Sequence, residues 1–156
     1  MDTESLLKSL NAYKVQYVII GAAALPVHGF SRVTVDIDIF VRATPRNVQR
    51  TLDALKNVGY DISDLTREEM LRKKILFRQY VQEVDIHPHV KGATFRGVWA
   101  RKVQNRIGKA DAYFAGLGDL IRMKKAAGRP KDLEDLRVLE KLKARMSKRI
   151  VRKKEK

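Results

Sequence analysis

The amino-acid sequence predicts an α+β domain: a small mixed β-sheet flanked by helices, followed by a helical C-terminal part. Three observations carry that prediction. Apolar, β-branched runs of strand length alternate with stretches of helical spacing as far as residue 115. From residue 117 onward only helical spacing remains. The resulting order of helix, strand, helix, strand, helix, strand, strand and then helices suits one sheet with helices packed against it.

Residues 3–12 read as a short helix. "QYVII" (16–20) is an apolar strand that ends at Gly21. "AAALPVHG" (22–29) reads as a helix starting at that glycine and stopping at Gly29, although Pro26 is awkward beyond a first turn. "VTVDIDIFV" (33–41) is the second strand. Thr44 and Pro45 are a cap and a first helical residue, and Val48, Leu52, Leu55 and Val58 keep helical spacing until Gly59. Thr66 with Glu69 forms a capping-box pattern for a helix over 67–73. "KILFRQY" (74–80) and "QEVDIHPH" (82–89) read as strands, the second stopped by Pro88. Residues 98–115 fit a short helix and then a hairpin turning at Gly108. Residues 117–128 form a helix closing at Gly128, and Pro130 opens the last one, with Leu133, Leu136, Leu139 and Leu142 as its apolar stripe. This divides the chain into a core (1–115), C-terminal helices packed on it (116–144) and a basic tail (145–156).

At 156 residues and 44% hydrophobic, the chain can bury the core of one domain. It has no cysteine, which excludes disulfides, cysteine-based zinc sites and a thiol nucleophile. No apolar run approaches the ~20 residues of a membrane helix. "MDTESLLKSLNAYK" has no signal-like apolar core, so a soluble, cytoplasmic protein with no membrane partner is expected. Net charge is +15, and the last sixteen residues hold nine Lys or Arg against one Glu. Such an end attracts polyanions such as RNA, while a solvated helix terminus has the same composition.

"TVDIDIFV" (34–41) raises the chemical question. Alternation along a strand puts Asp36 and Asp38 on one face with Thr34, and Val35, Ile37, Ile39 and Val41 on the other. Adjacent carboxylates raise each other's pKa. "EVDIH" places Asp85 in the middle of another apolar strand. If the two strands are neighbours, three carboxylates converge, and such a patch suits magnesium. Two ions about 3.5–4 Å apart can stabilise the attacking and leaving oxygens of a phosphoryl or nucleotidyl transfer. A D-x-D alone is a weak motif, better read as two aspartates capping or pairing at a strand end. "VIIGAAAL" adds the discriminating feature: a strand, a glycine and a helix start aim free N–H groups at an anion such as phosphate. His87 and His89 alternate along one strand, but Pro88 between them and the lack of soft ligands argue against a transition-metal site. His28 reads as structural or as a nucleotide neighbour. The aromatics are scattered and belong to the core.

"YVIIGAAALPVHGFSRVTVDIDIFV", with the later "VDIH", resembles the minimal nucleotidyltransferases of the DNA polymerase β superfamily. "DLIRMKKAAGRPKDLEDLRVL" is similar to the C-terminal helices of their abortive-infection type-IV toxin-like branch. The likeness covers residues 14–140. It implies an α/β-like nucleotidyltransferase core in which Asp36, Asp38 and Asp85 hold two Mg2+ ions and perform the chemistry. Asp85 would also help deprotonate the attacking hydroxyl. By the same likeness Gly21 and Ala22 line the triphosphate, Arg32 and Thr34 contact the nucleotide, and Lys124 reaches phosphate. Asp132 and Asp135 match the downstream acidic pair. Ala22 departs from the family's usual serine or glycine and offers no hydroxyl to a phosphate. The activity implied is transfer of a nucleoside monophosphate from an NTP to an acceptor hydroxyl of RNA (tRNA included), protein or a small molecule. An antitoxin partner is implied as well. The alternatives are a catalytically degenerate member that binds nucleotide or a partner, and a basic nucleic-acid-binding protein with incidental aspartates.

Overall fold

The computed structural model describes residues 2–30 and 34–155. Helix α1 (Thr3–Ala12) begins where the Asp2 carboxylate accepts the Ser5 N–H at 2.8 Å, and it buries Leu6, Leu7 and Leu10. Strand β1 (Tyr17–Ile20) is buried throughout. Two 3-10 turns, Gly21–Ala24 and Pro26–His28, follow it in place of the expected helix over 22–29. Pro26 has no N–H to give the Ala22 carbonyl, which accepts the N–H of Leu25 instead, at 3.2 Å. Strand β2 (Asp36–Val41) is shorter than its apolar run, and Val35 lies ahead of it, exposed rather than on the apolar face.

Helix α2 (Pro45–Asn57) starts at Thr44, whose hydroxyl accepts from the Asn47 N–H. Helix α3 (Arg67–Arg72) starts at Thr66 in the same way. Strands β3 (Ile75–Phe77) and β4 (Glu83–His87) are trimmed relative to the runs 74–80 and 82–89. The residues between them make a turn in which Gln79 takes φ 66°. Helix α4 (Phe95–Ala100) leads into the hairpin of β5 (Val103–Ile107) and β6 (Ala110–Phe114), which turns at Gly108 as expected. Helix α5 (Leu117–Ala127) closes at Gly128, left-handed with φ 62°. Helix α6 (Pro130–Glu155) continues unbroken through the basic segment. Leu139 is buried and Leu136 and Leu142 are partly so, but Leu133 is exposed.

The six strands form one mixed sheet in the order β3-β4-β2-β1-β6-β5. β1 pairs antiparallel with β2 and parallel with β6, and β2 pairs parallel with β4. Ile37, Ile39, Val84 and Ile86 are buried, as are the inner faces of α1 and α2, which pack on each other. One buried polar side chain ties this layer together. Asn47 accepts from the Gln16 N–H at 2.8 Å and donates to the carbonyls of Gln16 and Arg42 at 3.0 and 2.9 Å. It thereby joins the first turn of α2 to the start of β1 and the end of β2.

Candidate active site

The parallel register of β2 and β4 creates the site. Asp38 lies opposite Asp85, so the two carboxylates emerge side by side from adjacent central strands. His87 follows Asp85 by two residues and shares its face. Its Nε2 is 2.8 Å from Asp38 Oδ1. One ligand atom from each of Asp38, Asp85 and His87 lies within 4.8 Å of the others. That set of two carboxylates and one imidazole fits a divalent cation. With its proton on Nε2 the imidazole donates to Asp38 and orients it; with the proton on Nδ1 it offers Nε2 as a ligand.

Gly21 sets the opposite wall. It has φ +68°, and a Cβ there would fall 2.7 Å from Asp38 Oδ2. The backbone therefore rests directly on the carboxylate, an approach and a conformation that suit only glycine. Beyond it opens a cleft of about 400 Å³ lined by Gly21, Asp38, His87, Lys124, Arg129 and Asp132, with Lys74 and Lys91 also on its wall. Four cationic side chains against two carboxylates give the cleft a field that favours an anion.

Helices α5 and α6 meet at its far side in an ion cluster. Lys124 Nζ donates to Asp132 Oδ1 at 3.2 Å and to Asp135 Oδ2 at 3.1 Å. Arg129 donates to both Asp132 oxygens, at 2.7 Å from Nε and 3.2 Å from Nη2. The Asp132 carboxylate also accepts the Arg129 N–H, capping the start of α6. Hydrogen bonds from Arg129, and then from Lys124, outweigh burial and hold the Asp132 carboxyl down at about 2. Arg129 is held more firmly protonated by Asp132, with Asp38 adding to the effect.

The residues expected from the sequence are thus distributed unequally. Asp38 and Asp85 meet, with Gly21 against Asp38. Asp36 shares their face but is not one of the three ligand-spaced groups: its Oδ2 lies 3.7 Å from Arg78 Nη2. Thr34 donates to the Asp36 carbonyl at 2.8 Å and approaches its carboxylate at 3.3 Å, so it braces Asp36. Both line a separate, largely apolar cleft of about 300 Å³ with Ala23, Val27, Ile37 and Phe114. Ala22 lies in the 3-10 turn, partly buried. Arg32 lies outside the described residues. His28 is structural, bonded to the Ala115 carbonyl at 2.8 Å, and His89 turns to the Leu71 carbonyl at 3.0 Å. The sequence reading missed Arg78. Its guanidinium donates to Asp85 Oδ1 and faces Asp36 and Glu83. The signal was a basic residue seven positions before an aspartate across a strand-to-strand turn, which is visible only once the turn is recognised.

Acids paired across central strands, a glycine turn at the first of them and a cationic cleft define a nucleotidyltransferase-type site. The comparisons agree with that class. Residues 2–154 match the family described as "Nucleotidyltransferase of unknown function (DUF6036)", and the chain belongs to that family of enzymes. The fold is similar to that of the lincosamide antibiotic adenylyltransferase LnuA in its lincomycin-bound crystal structure. The TM-score is 0.60, at 14% identity over 91% of this chain and 98% of that one. No curated protein matches in sequence. These likenesses bear on the nucleotidyltransferase part of the expected resemblance; neither extends to the toxin-like branch. Among the described residues no helix is long and apolar enough to cross a membrane.

Proposed function

We propose that the protein transfers a nucleoside monophosphate from an NTP to an acceptor hydroxyl, with Asp38 and Asp85 as the acids that hold a divalent cation. The observation that carries this reading is the register match of Asp38 and Asp85, with Asp38 lying against the Gly21 turn and lining the cationic cleft. In that arrangement the triphosphate lies in the cleft among Lys74, Lys91 and Arg129. Lys124, already engaged by Asp132 and Asp135, holds the wall and presents its remaining donor. The N–H groups of the Gly21–Ala24 turn face phosphate, so the missing hydroxyl at Ala22 costs one contact and not the cradle. Asp85 accepts the proton of the acceptor hydroxyl as its oxygen attacks the α-phosphorus. The bond to the β-phosphate breaks, and pyrophosphate leaves with that electron pair. Magnesium is the cation such an oxygen-rich site favours, and when bound it neutralises charge that develops on the phosphoryl oxygens.

For the acceptor, RNA (tRNA included) is favoured by α6, where every residue from Lys143 to Arg152 is exposed and cations predominate. A specific observation supports a second reading. The largely apolar cleft beside Asp36 is of a size for a small organic acceptor, and the relative in fold is an antibiotic adenylyltransferase with lincomycin bound. A role as the toxin of an antitoxin pair rests on the sequence resemblance of the α5–α6 segment alone, in which Lys124, Asp132 and Asp135 form one ion cluster.

The test is incubation with each labelled NTP and magnesium, together with total RNA, cell lysate or lincomycin. Label in RNA, in protein or in the small molecule identifies the acceptor. Asp85→Asn should lose transfer by at least a hundredfold while its circular dichroism stays native. No transfer from any NTP, with nucleotide binding retained, would favour the degenerate, binding-only alternative. Binding that falls steeply with salt and survives Asp38→Asn would favour the nucleic-acid-binding alternative.

A further inference from the structure

We infer that Arg78 is a built-in positive centre of this site, so that the protein without nucleotide holds one divalent cation, at Asp38, Asp85 and His87. The inference rests on the nucleotidyltransferase reading and adds how the charge is divided between metal and side chain.

The acid face at the start of β2 and β4 carries four carboxylates: Asp36, Asp38, Glu83 and Asp85. Arg78 addresses three of them. It donates to Asp85 Oδ1, lies 3.7 Å from Asp36 Oδ2 and lies 3.9 Å from Glu83 Oε2. The turn that delivers it is specifically shaped. Gln79, the next residue, is one of two non-glycine residues with positive φ among those described. Such a conformation persists only where the surroundings impose it. Here the Glu83 carboxylate accepts the Gln79 N–H at 3.2 Å, so one of the acids that Arg78 faces also clamps the turn that aims it.

The two halves of the acid face are thereby separated. Asp36 and Glu83 meet a guanidinium; Asp38 meets His87. Asp85 lies between them, and a carboxylate has enough lone pairs to accept from Arg78 on one side and to ligate a metal on the other. An ion placed between Asp36 and Asp85 would have to displace the guanidinium or stand beside it, where two cations repel. Asp38 and His87 bond each other on the side away from that contact, and with Asp85, shared between the two halves, they are the three groups whose ligand atoms lie within 4.8 Å of one another. Of the two ions expected from the sequence, the protein then holds one and the second arrives on the triphosphate, the usual carrier of magnesium in such sites.

The experiment is Mn2+ binding to the full chain without nucleotide, with free Mn2+ read by electron paramagnetic resonance. The wild type should bind one Mn2+ per chain. Arg78→Met, similar in length and uncharged, should bind two, because Asp36, Glu83 and Asp85 are then unopposed. Arg78→Gln is read in the same way should the methionine variant lose its native circular dichroism. Two Mn2+ in the wild type, or a single one in a folded Arg78 variant, overturns the inference and leaves the enzyme reading standing. A wild type that retains no Mn2+ also overturns the inference, and the enzyme reading itself then stands or falls on label transfer from NTP, which is measured separately.

Discussion

Replacing Gly21 by alanine tests whether the backbone really rests on Asp38. Two costs add. At φ +68° an L side chain is left-handed, which costs about 1–2 kcal/mol. The new Cβ would also fall 2.7 Å from Asp38 Oδ2, so the carboxylate must move and its 2.8 Å bond to His87 is lost or distorted. That bond is partly buried, and its loss adds about 1 kcal/mol. The sum is about 2–3 kcal/mol, which for a domain of this size lowers Tm by roughly 5–10 °C. The functional loss should be larger in proportion, because displacing a catalytic group by about 1 Å can cost about a hundredfold in rate. Gly29→Ala is the control. Gly29 also has positive φ, +88°, but nothing lies within 4 Å of a Cβ there. It should show the strain of about 1–2 kcal/mol alone, with Mn2+ binding and label transfer retained. Thermal unfolding by circular dichroism and Mn2+ binding on both variants check this. A Gly21→Ala protein with the wild-type Tm and the wild-type Mn2+ affinity would refute the reasoning.

Three further outcomes follow from the same structure. Asn47→Ala removes three buried hydrogen bonds and should cost about 3 kcal/mol in urea unfolding, with label transfer per folded molecule unchanged. Asp132, held down from the ordinary 3.8 to about 2, keeps its proton off in the native state where the unfolded chain would take it up. Its contribution, about 2 kcal/mol, is complete above pH ~4 and is lost as pH falls towards ~2; urea unfolding across that window should be flatter for Asp132→Asn than for the wild type. Ending the chain after residue 144 removes helix whose residues are exposed, at least as far as Arg152. Tm should stay within ~2 °C, since surface changes away from packed features cost little. If RNA is the acceptor, the slope of its binding with salt should become shallower.

How far the sequence was legible depends on which interactions are local. Helix starts were legible because a cap is a four-residue affair: Thr44 and Thr66 accept the N–H groups their spacing implies. The hairpin at Gly108 and the stop at Gly128 followed from residue type in the same way. The segment 22–29 failed because apolar composition outweighed the missing donor of Pro26, which the structure resolves with two short turns. Leu133 failed because spacing alone does not say how wide a stripe is covered; Leu139 is buried and Leu133 is exposed. Pairing of Asp38 with Asp85 was legible as a condition, that the two strands be neighbours, and the parallel β2–β4 register meets it.

What the strand pattern concealed is the charge that opposes the acids. Period-two alternation states which side chains share a face, and it ranks Asp36 and Asp38 as equals. Their difference comes from elements far apart in sequence. Asp38 receives Gly21 and His87, from the end of β1 and the end of β4, whereas Asp36 receives Arg78 and Thr34. Reading residues 74–80 as one strand left Arg78 without a face, because only the β3–β4 register, with Leu76 opposite Asp85, places the residue two further on with the acids. The left-handed Gln79, which no residue preference announces, converts that strand end into a turn. An acidic motif read alone therefore overstates the number of ligands it offers: the residues that neutralise it decide which carboxylates are left for a metal, and those residues arrive by topology.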